Sequence, residues 1–427
     1  MIRFFTLFIL LSVSLLAQTK KHTLLMNGTA HIGNGIIIEN SYIAIKDDKI
    51  ELVADARTMR IDITKFDTVI NISGKHVYPG LIAPNCIIGL QEAEAVKATN
   101  DYAEVGDFNP HVRSLIAYNT DSKILQTVKA NGILYVQSTP RDGVLSGKSS
   151  ILATDGWNWE DAVIKIDDGV HLNFPKSIQK NGWWAEPLPS DKNNKYNEEL
   201  KSLKAFFENA FAYFKTTSPI ETNLRYEAMK DIFLGNKILY IHADYVKDII
   251  AAVNFSKQFK VNKTVIVGGK DSYKITKFLH ENKIAVMLNR LHDLPDLPEA
   301  ETDIIYKTPF LLQKDSVLFC LQNQGDMEAM NARNISFLAG TSVAYGLTKE
   351  QALQSITLNS AKILGVDSLI GSIEVGKLAS IIVSDGDILD IKTNHIILAF
   401  INGRPLKLAN FQNELYKKYA DKYGIKE

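Results

Sequence analysis

A chain of 427 residues exceeds one ordinary domain, and 46% hydrophobic with 22% charged side chains is an ordinary globular composition with enough apolar material for a large core. The 48 basic side chains are matched by 48 acidic ones, so the whole-chain balance gives no sign of a nucleic-acid or polyanion partner. Two cysteines, Cys86 and Cys320, are too few for a disulfide scaffold.

Met1-Ile2-Arg3 is followed by an apolar run from Phe4 to Leu16 and then Ala17-Gln18, the pattern of a secretory signal. The run is shorter than the ~20 residues of a spanning helix, so a cleaved signal peptide over 1–17 is expected. The mature chain then begins near Gln18, has no membrane span, and works in the periplasm or outside the cell. No cysteine follows the run, which argues against a lipid-modified N-terminus. From His22 to Asn71, short β-branched runs broken by Gly and Asn predict a small antiparallel sheet. From His76 to about Leu364, helix-like stretches alternate with strand-like ones, as in Ser122 to Ala130 then Ile133 to Gln137. This predicts parallel strands with helical crossovers, closed into a barrel at this length. Lys195 to Phe214 and Thr222 to Leu234 read as amphipathic helices. Gly182-Trp183-Trp184 and Pro187-Leu188-Pro189 read as the least regular loops. Strand signals return in Ala379 to Val383 and His395 to Ile401, and a helix from Phe411 to Tyr423 closes the chain.

Two stretches carry a resemblance. Val77-Tyr78-Pro79-Gly80-Leu81-Ile82-Ala83-Pro84-Asn85-Cys86-Ile87 resembles the first barrel strand of the amidohydrolase superfamily, where the frame reads Pro-Gly-Leu-Ile-Asp-x-His-x-His. Ile356-Thr357-Leu358-Asn359, Ala361-Lys362-Ile363-Leu364-Gly365 and Gly371-Ser372-Ile373-Glu374-Val375-Gly376-Lys377-Leu378-Ala379 resemble that superfamily's ending. The resemblance implies an α/β fold: a distorted (β/α)8 TIM-type barrel over 76–372, with a small β-sandwich or sheet domain built from both chain ends, 22–75 and 373–427. Asn109-Pro110-His111-Val112-Arg113 and Leu145-Ser146-Gly147-Lys148 are further similar to an exported, imidazolonepropionase-like branch.

The resemblance also implies a metal site fed by strands 1, 5, 6 and 8, and this sequence departs from it. Asn85 and Ile87 stand in the slots of the two histidines, and Ala83 stands in the usual Asp position. Gly268 or Gly269 replaces the strand-6 histidine, and Gln322 or Asn323 the strand-8 aspartate, with Asp326 the nearest carboxylate. Only His242 keeps its slot. A lone histidine falls short of the ~3 protein ligands of a catalytic zinc. No cofactor is therefore expected; zinc belongs to the hydrolase reading alone, and His242 is then its ligand.

The candidate ligand-pocket residues are Asn85, His242, Gln322, Asn323, Asp326 and Lys148, with no catalytic residue assigned. Glu92, Glu94, Asp101 and Glu104 read first as a solvated loop. Gly143 to Ser149 is not a phosphate loop, having too few residues between its glycines. Asn85 and Ile87 facing the lumen turn Cys86 away from it, so two free thiols are expected. The sequence thus favours an exported superfamily member with a degraded metal site: a small-molecule-binding or pseudoenzyme subunit, placed beside an intact amidohydrolase paralogue. The alternative is an active hydrolase of non-peptide or cyclic-amide C–N bonds.

Overall fold

The computed structural model describes residues 21–183, 186–217, 219–295 and 300–425; the expected signal peptide and Trp184 lie outside them. Among the described residues no helix is long and apolar enough to cross a membrane.

Both chain ends meet in one eight-stranded sheet. Its order is Arg404–Pro405, Ile396–Ile401, Ile381–Ser384, His76–Pro79, His22–His31, Ile37–Lys46, Lys49–Asp55, with Thr68–Asn71 also paired to His22–His31. The two ends join where Ile381–Ser384 runs antiparallel to His76–Pro79, Ile382 opposite Tyr78. Leu25, Ile43, Ile45, Val77, Ile381, Val383 and Phe400 make a core separate from that of the barrel. His76–Pro79 pairs within this sheet, so the crossing into the barrel comes at Gly80, just after the sequence boundary. A Cβ there would come within 2.6 Å of the Leu134 side chain, so only glycine fits that close passage. The closing helix Phe411–Tyr423 leaves the sheet and lies on the barrel helix Lys123–Ala130, where Thr127 Oγ1 donates to Gln412 Oε1 at 3.2 Å.

The barrel sheet also has eight strands, in chain order Leu81–Cys86, Ile133–Ser138, Leu145–Ala153, Val163–Asn173, Ile238–Ala243, Thr264–Gly268, Ala285–Leu288 and Phe319–Leu321. They are called its first to eighth strands below. Strands such as Leu239-Tyr240-Ile241 and Val265-Ile266-Val267 are apolar without alternation because helices cover their outer face and side chains fill the lumen. Each fully buried aliphatic side chain there contributes about 1.5–3 kcal/mol. The helix–strand alternation fails once: the third strand runs antiparallel to both the second and the fourth. Only Thr139 to Val144 separates the second strand from the third, and a parallel crossover needs about a dozen residues. The sheet is nearly closed. Among the described residues no ladder joins the eighth strand to the first; that seam is spanned by Ile82 N donating to Ile356 O at 3.0 Å and by side chains at the mouth.

Above the fourth and fifth strands, Ile178–Trp183 and Glu186–Lys192 form an antiparallel hairpin where irregular loops were expected. Gly182, at φ +80°, and the Asn181 to Asp191 hydrogen bond at 2.8 Å give the local reason.

Candidate functional site

The first strand stops alternating where the metal slots begin. Asn85 has φ +47°, a left-handed conformation that asparagine tolerates better than most residues, and the register with the second strand slips between Ala83 and Cys86. Ile87 therefore packs its side chain into the main apolar core and gives the mouth only its N–H, which donates to Glu328 Oε1 at 3.0 Å. Cys86 and Cys320 are free and buried.

Asn85 is wholly buried, and every polar atom it has is engaged. Its N–H donates to Gln137 Oε1 at 2.9 Å, and its Nδ2 donates to Gln324 Oε1 at 2.9 Å and, more weakly, to Gln322 Oε1 at 3.5 Å. Arg141 donates to Asn85 Oδ1 and to its carbonyl, both at 2.8 Å, and to Glu328 Oε1 at 2.7 Å. Arg141 comes from the loop after the second strand and Glu328 from the short helix Glu328–Asn331 after the eighth. Both are nearly buried, and their ion pair bridges the open seam of the barrel.

A second network lies deeper. Asp168 accepts from Tyr240 OH at 2.6 Å, Ser149 Oγ at 2.7 Å and Gln137 Nε2 at 2.9 Å. Ser149 Oγ is 2.9 Å from His171 Nε2, and His171 Nδ1 is 3.0 Å from His242 Nε2. Because the Ser149 hydroxyl proton points to Asp168, His171 donates through Nε2 and accepts from His242 through Nδ1. Burial pushes the Asp168 carboxyl up, against the three hydrogen bonds that favour its ionised form. Burial, His242 and Arg141 hold His171 well below its ordinary value. Burial, Arg141 and Lys176 push His242 down to about 3. Both imidazoles are neutral at physiological pH, beside one fixed guanidinium cation.

Of the sequence candidates, Asn85, His242 and Gln322 meet at the mouth, with Gln324 between them. Asn323 is buried nearby with its Nδ2 unpartnered. Lys148 does not join them. Ser149 points into the lumen, so its neighbour points out, toward Lys237, Asp167, Arg113 and Asp231. Asp326 sits on an exposed loop and offers Arg290 only its carbonyl. Glu94, Asp101 and Glu104 are solvent-exposed. Sequence reading offered Ser149, with Ser146, as a pocket-lining alternative to a solvated loop, and missed Gln137, Arg141, Asp168, His171, Gln324 and Glu328. For Gln137, Asp168 and His171 the available signal was a polar residue inside a largely apolar strand, which must find buried partners; Arg141, Gln324 and Glu328 lie outside the strands and carried no such signal.

The donors at the slots do not suit zinc. Amides of Asn85 and Gln322, an isoleucine side chain turned into the core, a glycine at Gly268, and two histidines bonded to each other fall short of a three-ligand catalytic set. Among the described residues no group of three or more His, Cys, Asp or Glu side chains could hold a metal ion. Nor is the barrel axis open: Asn85 and Gln322 are fully buried beneath Arg141 and Glu328. A cavity of about 830 Å³ lies to one side at the same face, lined by Asn173, Lys176, Asn181, Lys195, Asp244 and Tyr245.

The Amidohydrolase family model matches residues 301–415. An imidazolonepropionase of Fusobacterium nucleatum subsp. nucleatum is 23% identical over 408 residues, 89% of this chain and 94% of that protein. One of Flavobacterium johnsoniae is 23% identical over 378 residues, 81% of this chain and 85% of that protein. Among solved structures, an amidohydrolase from Thermotoga maritima superposes with a TM-score of 0.77 at 24% identity, covering 90% of this chain and 99% of that one.

Proposed function

Starting from a chain that belongs to the amidohydrolase superfamily, imidazolonepropionase-like in sequence, we propose an exported, metal-independent ligand-binding member that has given up the hydrolytic centre. The observation that carries this reading is the Asn85–Arg141–Glu328 network at the first metal slot: a guanidinium held by a carboxylate stands where the fold would place a metal, and both nearby imidazoles are bonded to each other. The ligand is a small neutral molecule rich in hydrogen-bonding groups, taken in the cavity beside the axis, where amides of Asn173 and Asn181 accompany charges of both signs. Export rests on the segment from Arg3 to Ala17.

Elemental analysis of the purified mature protein tests the proposal. The expected result is no stoichiometric transition metal, with thermal shifts from cyclic amides, dipeptides or sugars that survive chelator. One equivalent of zinc, lost in His242→Ala, would sink it.

A second reading, metal-free hydrolysis of a cyclic amide, is favoured by the Asp168–Ser149–His171–His242 chain, which ends at the mouth in a titratable group. Chelator-insensitive turnover abolished in His242→Gln would replace the first reading with this one.

A further inference from the structure

The opposite end of the barrel has a different character. A cavity of about 500 Å³ opens among the starts of the fifth to eighth strands, and Lys165, Lys257, Lys263, Lys283 and Lys362 line it. Among the described residues none of the five forms an ion pair with a carboxylate. Lys165 donates to the helix-end carbonyls of Leu364 and Gly365, at 2.8 and 3.4 Å, and Lys257 donates to Asn282 Oδ1. Acids in the neighbouring segments are engaged elsewhere, Asp231 with Lys237 and Glu281 with Lys277. In a chain with equal numbers of acids and bases, five lysines lining one hollow with no carboxylate in ion-pair contact, among the described residues, are a local excess that the whole-chain balance conceals. Thr264 also lines the cavity, and its buried hydroxyl has no hydrogen-bond partner.

We propose that this N-terminal face of the barrel is an anion site for a phosphate-bearing small molecule, held by Lys165, Lys257, Lys263, Lys283 and Lys362 with Thr264 donating its hydroxyl to a phosphate oxygen. The lysines are flexible point charges on long stems, suited to gathering around a multiply charged anion without fixing one geometry. The volume suits one small molecule. Burial lowers the Lys165 pKa, the buried Asp168 opposes that shift and Lys263 adds to it, which places two of the lysine charges within electrostatic reach of each other. A bound anion relieves that repulsion. The site shares no residue with the mouth, so it stands or falls independently of the ligand proposed there.

Inorganic pyrophosphate titrated into the mature protein by calorimetry is the test, with the double variant Lys263→Ala/Lys362→Ala and a control pair, Lys417→Ala/Lys418→Ala, on the exposed closing helix. Saturable binding is expected, weakened about tenfold or more in the first double variant and unchanged in the control, since each lost charged hydrogen bond costs about 1.5 kcal/mol or more. Absence of saturable binding at low salt, or equal loss in both double variants, would overturn the site. Sedimentation with phosphatidylglycerol vesicles is the second arm. Vesicle binding that Lys263→Ala/Lys362→Ala abolishes, without pyrophosphate binding, would assign the face to a lipid headgroup and refute the small-molecule form.

Discussion

Among the described residues, two pairs of imidazoles are hydrogen-bonded, and they are built differently. At the mouth, His171 and His242 approach to 3.0 Å, and the nearest carboxylate, Asp168, is reached only through Ser149. In the seam between the end sheet and the barrel, His31 and His76 approach to 3.1 Å, but His31 Nδ1 meets Glu350 Oε1 directly at 2.6 Å and its ring stacks on Tyr78 at 4.5 Å. The seam places negative charge against its histidine. The mouth places a cation, Arg141, near its pair and reserves the carboxylate of Glu328 for that cation. Burial and the nearby guanidinium disfavour an imidazolium at the mouth. A proton is therefore disfavoured on both imidazoles of the mouth, and Arg141 is the positive charge there.

The largest effect should come from breaking the mouth's own ion pair. Glu328→Gln leaves the Arg141 guanidinium buried without a counter-charge, and a loss of about 3–5 kcal/mol in urea unfolding is expected. A loss below 1 kcal/mol would mean that the pair is hydrated in solution. Ser149→Ala comes next: it removes one donor from Asp168 and the acceptor of His171 Nε2, at an expected cost of about 1–3 kcal/mol. The same unfolding titration reads it, and Ser149→Thr, which keeps the hydroxyl, should recover part of the loss.

Acidity probes the mouth pair without a mutation. Above the ordinary histidine pKa of 6.5, His242 is neutral in the folded and unfolded chain alike and contributes nothing. As pH falls from 6.5 toward about 3, the unfolded chain takes up a proton that the fold refuses, so stability falls by up to about 1.4 kcal/mol per pH unit. His171 acts with the same sign. Asp168, raised by burial, acts oppositely and offsets part of it. His242→Gln should therefore shrink the stability difference between pH 8 and pH 4.5, and an unchanged difference would show that the imidazole titrates freely. The smallest effect belongs to the seam. Glu350→Gln keeps the contact with His31 and loses only its charge, for about 1 kcal/mol, detectable as a modest fall in Tm.

How legible the molecule was from its sequence differs in the same way between regions. Pro79-Gly80 and the Gly371 to Ala379 ending located the barrel and the end sheet because backbone punctuation and apolar runs are local, and local patterns survive in sequence. The reversed third strand was not read from them, since a hairpin between two buried strands looks like any short loop between apolar runs. Asn85, His242 and Gln322 were legible as slots because the strand frame fixes where each strand ends. Lys148 was misplaced for want of register, which the neighbouring Ser149 reveals only in three dimensions.

By itself, then, the sequence determined the sheet and barrel framework and which residue types, Asn85, Ile87, His242 and Gly268, stand at the positions that the resemblance reads as metal slots, because both depend on residue type at a fixed step along a strand. Only the tertiary structure decided what fills the mouth. Arg141 arrives from the loop after the second strand while Gln324 and Glu328 follow the eighth, and a left-handed turn at Asn85 sends Ile87 into the core while leaving its N–H to Glu328. Long-range side-chain hydrogen bonds across an open barrel seam have no period for a linear pattern to carry, and their partners are chosen by which buried polar atoms would otherwise go unpaired.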